Sequence, residues 1–289
     1  MFDTVCIVGV GLIGGSFGLA VRDKRLARRV IGVARREATI AEAVALGAID
    51  EGTTDLLAAA RQSDLIFMSP PVGQMAELCR RIAGVVPEGA IVTDAGSTKS
   101  SFVRECEQVL GERAHFVGGH PMAGSEQTGV GAARADLFEH AMWILTPSPQ
   151  TPPLVLSTLT AMVEAVGATP LLLEAGAHDA ILASTSHLPH ISASALVHQF
   201  VRVREGAELA DRLIAGGWRD STRVASGSAE MWRDICLANS SAIEESLAEL
   251  IGDLEQVRGW VRAGEGDKLR EWFEAAAQVR RAQGYLPRK

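Results

Sequence analysis

The chain has 289 residues, of which 47% are hydrophobic and 22% charged, a balance ordinary for a globular protein and a length that suits two domains. Lys and Arg number 28 against 35 Asp and Glu, a formal net charge of −7, which argues against nucleic acid or an anionic membrane as the main partner. Cys6, Cys79, Cys106 and Cys236 lie far apart with no C-x-x-C pair, so a reducing compartment is expected, with neither a disulfide framework nor a zinc site.

Val5, Cys6, Ile7 and Val8 form a short apolar block that suits a strand buried on both faces. Gly9, Gly11 and Gly14 follow at G-x-G-x-x-G spacing, and Leu12, Phe17, Leu19, Ala20 and Val21 begin a helix. Strand, glycine turn and helix together make a pyrophosphate site. The first glycine permits the tight turn, the second lets backbone approach the phosphates, and the third lets helix and strand pack closely. The helix start adds unpaired N–H donors and a partial positive charge. Gly9, Gly11, Leu12, Ile13 and Gly14 are therefore candidate contacts to a dinucleotide. A second strand over 30–33 ends at Ala34-Arg35-Arg36, where an NAD-preferring site usually carries an acid for the ribose hydroxyls. Two guanidinium groups suit an adenosine 2′-phosphate instead, at about 1.5–3 kcal/mol per charge-assisted bond. NADP is expected over NAD; a solvated basic start to the next helix is the other possibility.

Residues 40–46 and 56–61 are expected to be helices, and 64–68 a strand stopped by Ser69-Pro70-Pro71. These three fit a loop at the carboxyl end of a parallel strand, the edge where ligands sit, and join the cofactor candidates. A helix through Met75, Leu78 and Ile82 precedes a strand over 90–93, and Asp94 at its end is a further cofactor candidate. Phe116 and Val117 lead into Gly118-Gly119-His120-Pro121, and a strand over 141–145, a helix over 154–166 and a last strand over 170–173 follow. Such alternation predicts parallel crossover units, an α/β domain of Rossmann type over 1–175. Beyond about Gly176 strand signals vanish, and 176–289 is expected to be an all-helical domain for substrate binding and dimerisation. There Leu247, Leu250, Ile251, Leu254, Val257 and Val261 follow helical 3–4 spacing, expected as packing within a bundle with Trp260 and Trp272 nearby. A homodimer is expected. No apolar run is long enough to span a bilayer, and a strand starting by residue 4 leaves no secretory leader, so the cytoplasm is the expected location.

His120 is the leading catalytic candidate. Proline biases the residue before it towards extended backbone, so His120 is expected in a glycine-rich loop at the ligand edge, where imidazole can take a proton from a hydroxyl near neutral pH. A loop histidine bonding the backbone is the bland counterpart. Ser97 follows another strand; its hydroxyl could bond the cofactor amide or His120, or simply cap a helix starting near Lys99. His187 and His190 are three apart and share a helical face, with a kink expected at Pro189. No acid or cysteine completes a metal set around them, so a pair of polar groups lining a pocket is expected, and no metal. Arg223 could hold a carboxylate in a two-point fork, or pair with Asp220 or Asp234.

In order along the chain stand Gly9, Gly11 and Gly14, residues 94–99, Gly-Gly-His-Pro-Met-Ala-Gly at 118–124, Leu145-Thr146-Pro147, Ser-His-Leu-Pro-His at 186–190 and Arg219-Asp220-Ser221-Thr222-Arg223. Over nearly its whole length the chain resembles the prephenate/arogenate (cyclohexadienyl) dehydrogenase family of tyrosine biosynthesis, in a short form without a fused mutase or regulatory domain. The resemblance implies oxidative decarboxylation of a cyclohexadienol. His120 would take the ring-hydroxyl proton as hydride passes to the nicotinamide, and loss of carbon dioxide would make the ring aromatic. By the same resemblance Ser97 orients the reacting groups, Arg223 binds the ring carboxylate, and His187 and His190 line the pocket around the side chain. Gly216 with Gly217 lies near the neighbouring subunit's pocket, and Trp232 supports the substrate wall. Ser125 and Glu126 follow the catalytic loop; a carboxylate at Glu126 would attract arogenate's ammonium and repel prephenate's keto acid, so arogenate or dual specificity is expected.

Two rivals remain. A β-hydroxyacid dehydrogenase shares the cofactor fold but normally uses a catalytic lysine in its helical part, and residues 177–262 contain none. A redox-sensing regulator would bind NADP without needing His120, His190 and Arg223 together.

Overall fold

The computed structural model describes residues 1–125, 127–207 and 209–283. The chain divides into two compact units, Met1–Ser240 and Ser241–Lys289. The first unit is built on β1 (Phe2–Val8), α1 (Leu12–Asp23), β2 (Ala27–Val33), α2 (Glu37–Ala45), β3 (Glu51–Thr53), α3 (Leu56–Ala60), β4 (Leu65–Met68), α4 (Met75–Ile82), β5 (Ala90–Asp94), α5 (Val103–Leu110), β6 (Ala114–Pro121), β7 (Met142–Thr146), α6 (Pro153–Ala165) and β8 (Thr169–Leu172). The strands form one sheet in the order β3-β2-β1-β4-β5-β6-β7-β8.

Because strand side chains alternate, the central strands feed two cores. Val5 and Ile7 join Phe17, Phe67 and Trp143 on one face; Cys6 and Val8 join Ile66, Met68 and Cys79 on the other. Phe17 stacks on Phe67 with ring centroids 4.0 Å apart, and Trp143 meets both at about 6 Å. Helix α1 packs closely against the segments around it because its glycines carry no side chain. A Cβ on Gly18 would stand 2.1 Å from the Ala48 carbonyl oxygen, and one on Gly15 would stand 2.9 Å from Val130.

The alternating half departs from the sequence expectation in three places. The short edge strand β3 carries no apolar signal, since two of its three residues are Glu51 and Gly52. β7 runs antiparallel to β6, pairing Gly118 with Thr146 and Pro121 with Trp143, and only β8 returns parallel to β7. Finally, His120 lies inside β6, opposite Ile144, and not in a loop. The ladder, as well as Pro121, therefore holds its backbone extended.

Helix α7 (Ala175–Leu182) passes through a π turn over Ala183–His187 directly into α8 (Leu188–Arg204). The π turn ends before Pro189: the Leu188 N–H reaches back five residues to Ala183, and the proline sits in the first turn of α8, where its missing N–H costs little. Helices α9 (Gly216–Thr222) and α10 (Ala229–Ala238) complete the unit. α10 touches the turn over Val72–Gln74 that follows β4, so the helical part stands over the carboxyl edge of the sheet.

The second unit consists of α11 (Ser240–Ala263) and α12 (Gly266–Ala282). Here the bundle expectation needs correction. Leu247, Leu250 and Val257 are half-buried, but Ile251, Leu254 and Val261 are 55–64% exposed, as are Phe273 and Val279 on α12.

Candidate active site

At the carboxyl edge of β1 the three glycines occupy three different situations. Gly9 has φ +92°, in the left-handed region that favours glycine. A Cβ on Gly14 would lie 2.2 Å from the Gly9 carbonyl oxygen, whereas one on Gly11 would meet nothing within 4 Å. Gly11 is the N-cap residue of α1, and no side chain caps the first turn, where Leu12 and Ile13 are half-buried. An open approach beside uncapped N–H groups fits a dinucleotide pyrophosphate. Ser69 props the loop, its hydroxyl donating to the Gly9 carbonyl at 2.7 Å, and Pro70 and Pro71 follow it at the same edge. Past the end of β2, Ala34 is half-buried while Arg35 and Arg36 are exposed.

Asp94 does not present its carboxylate to this edge. It is fully buried and paired with the equally buried Lys99 ammonium, and it accepts the Gly96 N–H at 2.6 Å and the Gly119 N–H at 2.9 Å. Burial pushes Asp94 up and Lys99 down, and their pairing opposes both shifts. With its oxygens occupied inside the protein, Asp94 shapes the loop after β5 instead of holding cofactor. Gly118 has no room for a side chain: a Cβ there would stand 2.3 Å from Thr146 Oγ1 and 2.9 Å from Lys99 Cδ. Ser97 lies half-buried in this loop and does not cap a helix, since α5 starts only at Val103 with Phe102 before it.

His120 shares its strand face with Phe116 and Gly118 and is only 8% exposed. Its Nδ1 lies 2.8 Å from His178 Nε2, and His178 Nδ1 lies 2.7 Å from Asp179 Oδ1. Asp179 also accepts the Lys99 N–H and the Ser100 N–H, each at 2.8 Å. Asn239 donates to the Asp179 carbonyl at 2.8 Å and lies 3.2 Å from His187 Nδ1. Burial holds His120 well below the ordinary imidazole value, helped by the Lys99 charge and by His178 and His187. Burial likewise lowers His187 to about 4, against the opposing pull of Asp179 and the Ser97 backbone. His120 is thus a neutral imidazole near pH 7, the state a base needs.

His190 stacks on Trp232 with centroids 3.7 Å apart, and His187 meets the same indole edge-on at 6.1 Å. His190 Nδ1 lies 3.0 Å from the Ser186 carbonyl oxygen, and burial, with the nearby Arg223 charge, lowers its pKa. Arg223 is exposed, and Asp234 pairs with Arg233 instead. The structure therefore gathers His120, Ser97, His187, His190, Trp232 and Arg223 into one neighbourhood. Gly216 and Ser125 are exposed, with no described contact to that cluster, and Glu126 lies outside the described residues. Sequence reasoning missed His178, Asp179, Asn239 and the structural use of Lys99. An adjacent His-Asp pair opening a helix was the available signal for the first two.

A glycine-cradled dinucleotide edge beside a desolvated histidine defines the class: a nicotinamide dinucleotide-dependent dehydrogenase. Residues 17–172 match the family model for the prephenate dehydrogenase nucleotide-binding domain, and 174–275 match that for the prephenate dehydrogenase dimerization domain. The chain belongs to the prephenate dehydrogenase family. It is 36% identical to prephenate dehydrogenase of Bacillus subtilis over 99% of this chain and 79% of that protein. It is 33% identical to cyclohexadienyl dehydrogenase of Zymomonas mobilis, over 98% of this chain and 96% of that one. The crystal structure of Aquifex aeolicus prephenate dehydrogenase, in complex with hydroxyphenyl propionate and NAD+, superposes with a TM-score of 0.90 at 32% identity, covering 98% of each chain.

The buried histidines give stability a definite pH dependence. His120, His187 and His190 all bind protons more weakly folded than unfolded, where imidazole titrates near 6.5. Below that pH the unfolded chain holds more protons, so stability falls as pH falls. Urea denaturation is expected to give a lower unfolding free energy at pH 5 than at pH 7.5, by on the order of a few kcal/mol. A flat profile across that window would contradict the buried, neutral histidines.

Proposed function

We propose that this chain catalyses oxidative decarboxylation of prephenate, arogenate or both in tyrosine biosynthesis, with NADP preferred, as a cytoplasmic homodimer. Residues 1–175 would hold the dinucleotide, and 176–289 would carry substrate binding and subunit pairing. The observation that carries this reading is His120: neutral, desolvated and fixed in β6, with the histidine–tryptophan wall beside it. A bound nicotinamide dinucleotide would supply the hydride acceptor. His120 removes the proton of the ring hydroxyl as the carbinol carbon is oxidised, and the carboxylate at the quaternary carbon leaves as carbon dioxide, its bonding pair completing the aromatic ring. Arg223 holds that carboxylate until it departs, and Ser97 orients the hydroxyl. His187, His190 and Trp232 form the wall around the side chain. The four free cysteines, three of them buried, suit the reducing cytoplasm.

Absorbance of reduced cofactor on mixing the protein with NADP and either substrate is the direct test, and tight cofactor binding without reduction would favour a sensor. His120→Asn is expected to keep cofactor affinity while kcat falls about 10²–10⁴-fold; near-normal turnover would reject the base.

Exposed Arg35 and Arg36 past β2 support NADP. Replacing both with Ala is expected to lower kcat/KM for NADP roughly 10–100-fold with little effect on NAD, the worth of one charge-assisted contact. Equal losses with both cofactors would remove this basis.

The dimer rests on the match to a dimerization domain and on the exposed apolar residues of α11 and α12. Leu254→Glu is expected to shift the protein from dimer to monomer in sedimentation velocity; an unaltered dimer would place the interface elsewhere.

A further inference from the structure

We propose that Asp179 and His178 are positioning residues that fix the tautomer of His120, leaving Nε2 as the basic nitrogen. This inference rests on the role just given to His120. Asp179 receives two backbone N–H groups, from Lys99 and Ser100, and such donors hold it as a carboxylate that only accepts. His178 Nδ1, 2.7 Å away, must then be the donor. A neutral His178 consequently offers a lone pair at Nε2, and His120 Nδ1, 2.8 Å from it, must carry the hydrogen. The one unprotonated nitrogen left on His120 is Nε2.

The same carboxylate sets the backbone of the segment that holds Ser97. Asn239 in turn fixes the helix behind it through the Asp179 carbonyl. One acid thus positions both groups assigned to the substrate hydroxyl. This arrangement acts through His120. When His120 takes the proton and becomes positive, the His178–Asp179 dipole already points its negative end towards it, so no reorganisation is needed.

Nitrogen-15 NMR of the full chain with labelled histidine, His120 being assigned by its loss in His120→Asn, reads the tautomer without substrate. The expected result is a pyridine-type signal for Nε2 and a pyrrole-type signal for Nδ1. A protonated Nε2, as a charged His178 would impose, overturns the proposal. In Asp179→Asn the amide can donate to His178 and reverse the chain of donors, so the His120 signals are expected to exchange. Its kcat should fall about 10²–10⁴-fold while cofactor affinity and KM stay within about threefold. An unchanged tautomer with near-wild-type kcat in that variant also overturns it. His178→Gln keeps an acceptor for His120 Nδ1 and is expected to retain far more turnover than His178→Leu; equal kcat in the two sinks the idea even if Asp179→Asn does not fold. Absence of turnover in the wild type would reject the proposed reaction and leave the tautomer measurement standing.

Discussion

The buried pair of Asp94 and Lys99 is the constraint on which the rest of the site depends. Two opposite charges with no solvent exposure carry a large desolvation cost, repaid only when geometry and additional hydrogen bonds are right. Here the Gly96 and Gly119 N–H groups complete the carboxylate's shell and tie the loop after β5 to the catalytic strand β6. Thr146 and the lysine stem together leave no room for a Cβ on Gly118, two residues before His120. Removing either partner would strand a charge in the interior, so the pair specifies one loop conformation more than it adds stability.

A second buried carboxylate, Asp179, performs the corresponding task from the helical side. It receives backbone N–H groups from the far end of the same loop. The segment 94–100 is therefore held at one end by the sheet and at the other by α7. Ser97 sits between two fixed points and His120 beside them, so the reactive groups rest on rigid neighbours although one lies in a loop.

Much of this was legible from residue order. Apolar runs of four or five residues placed β1, β2, β4 and β5, because strands buried on both faces must be continuously apolar. The glycine fingerprint placed the dinucleotide edge, because each glycine answers a separate steric demand. Three features were hidden. The reversed direction of β7 leaves no local mark, since a strand's composition does not encode the orientation of its neighbour. Asp94 looked ligand-facing because it ends a strand at the right edge; only the partner five residues later reveals its true use. And the apolar stripe of α11 predicts burial without saying against what, so Ile251 and Leu254 read as bundle core although they stand exposed on the single chain.

The π turn over Ala183–His187 has a geometric consequence for the rod formed by α7 and α8. An α-helix advances about 100° per residue, so one residue in excess rotates everything beyond it by that angle relative to everything before. Upstream, His178 is aimed at His120 on β6 and Asp179 at the loop after β5; downstream, His190 is aimed at the indole of Trp232. A regularly wound rod would have to choose between these azimuths. The single offset lets one continuous helix serve two directions at once, with His187 standing at the seam.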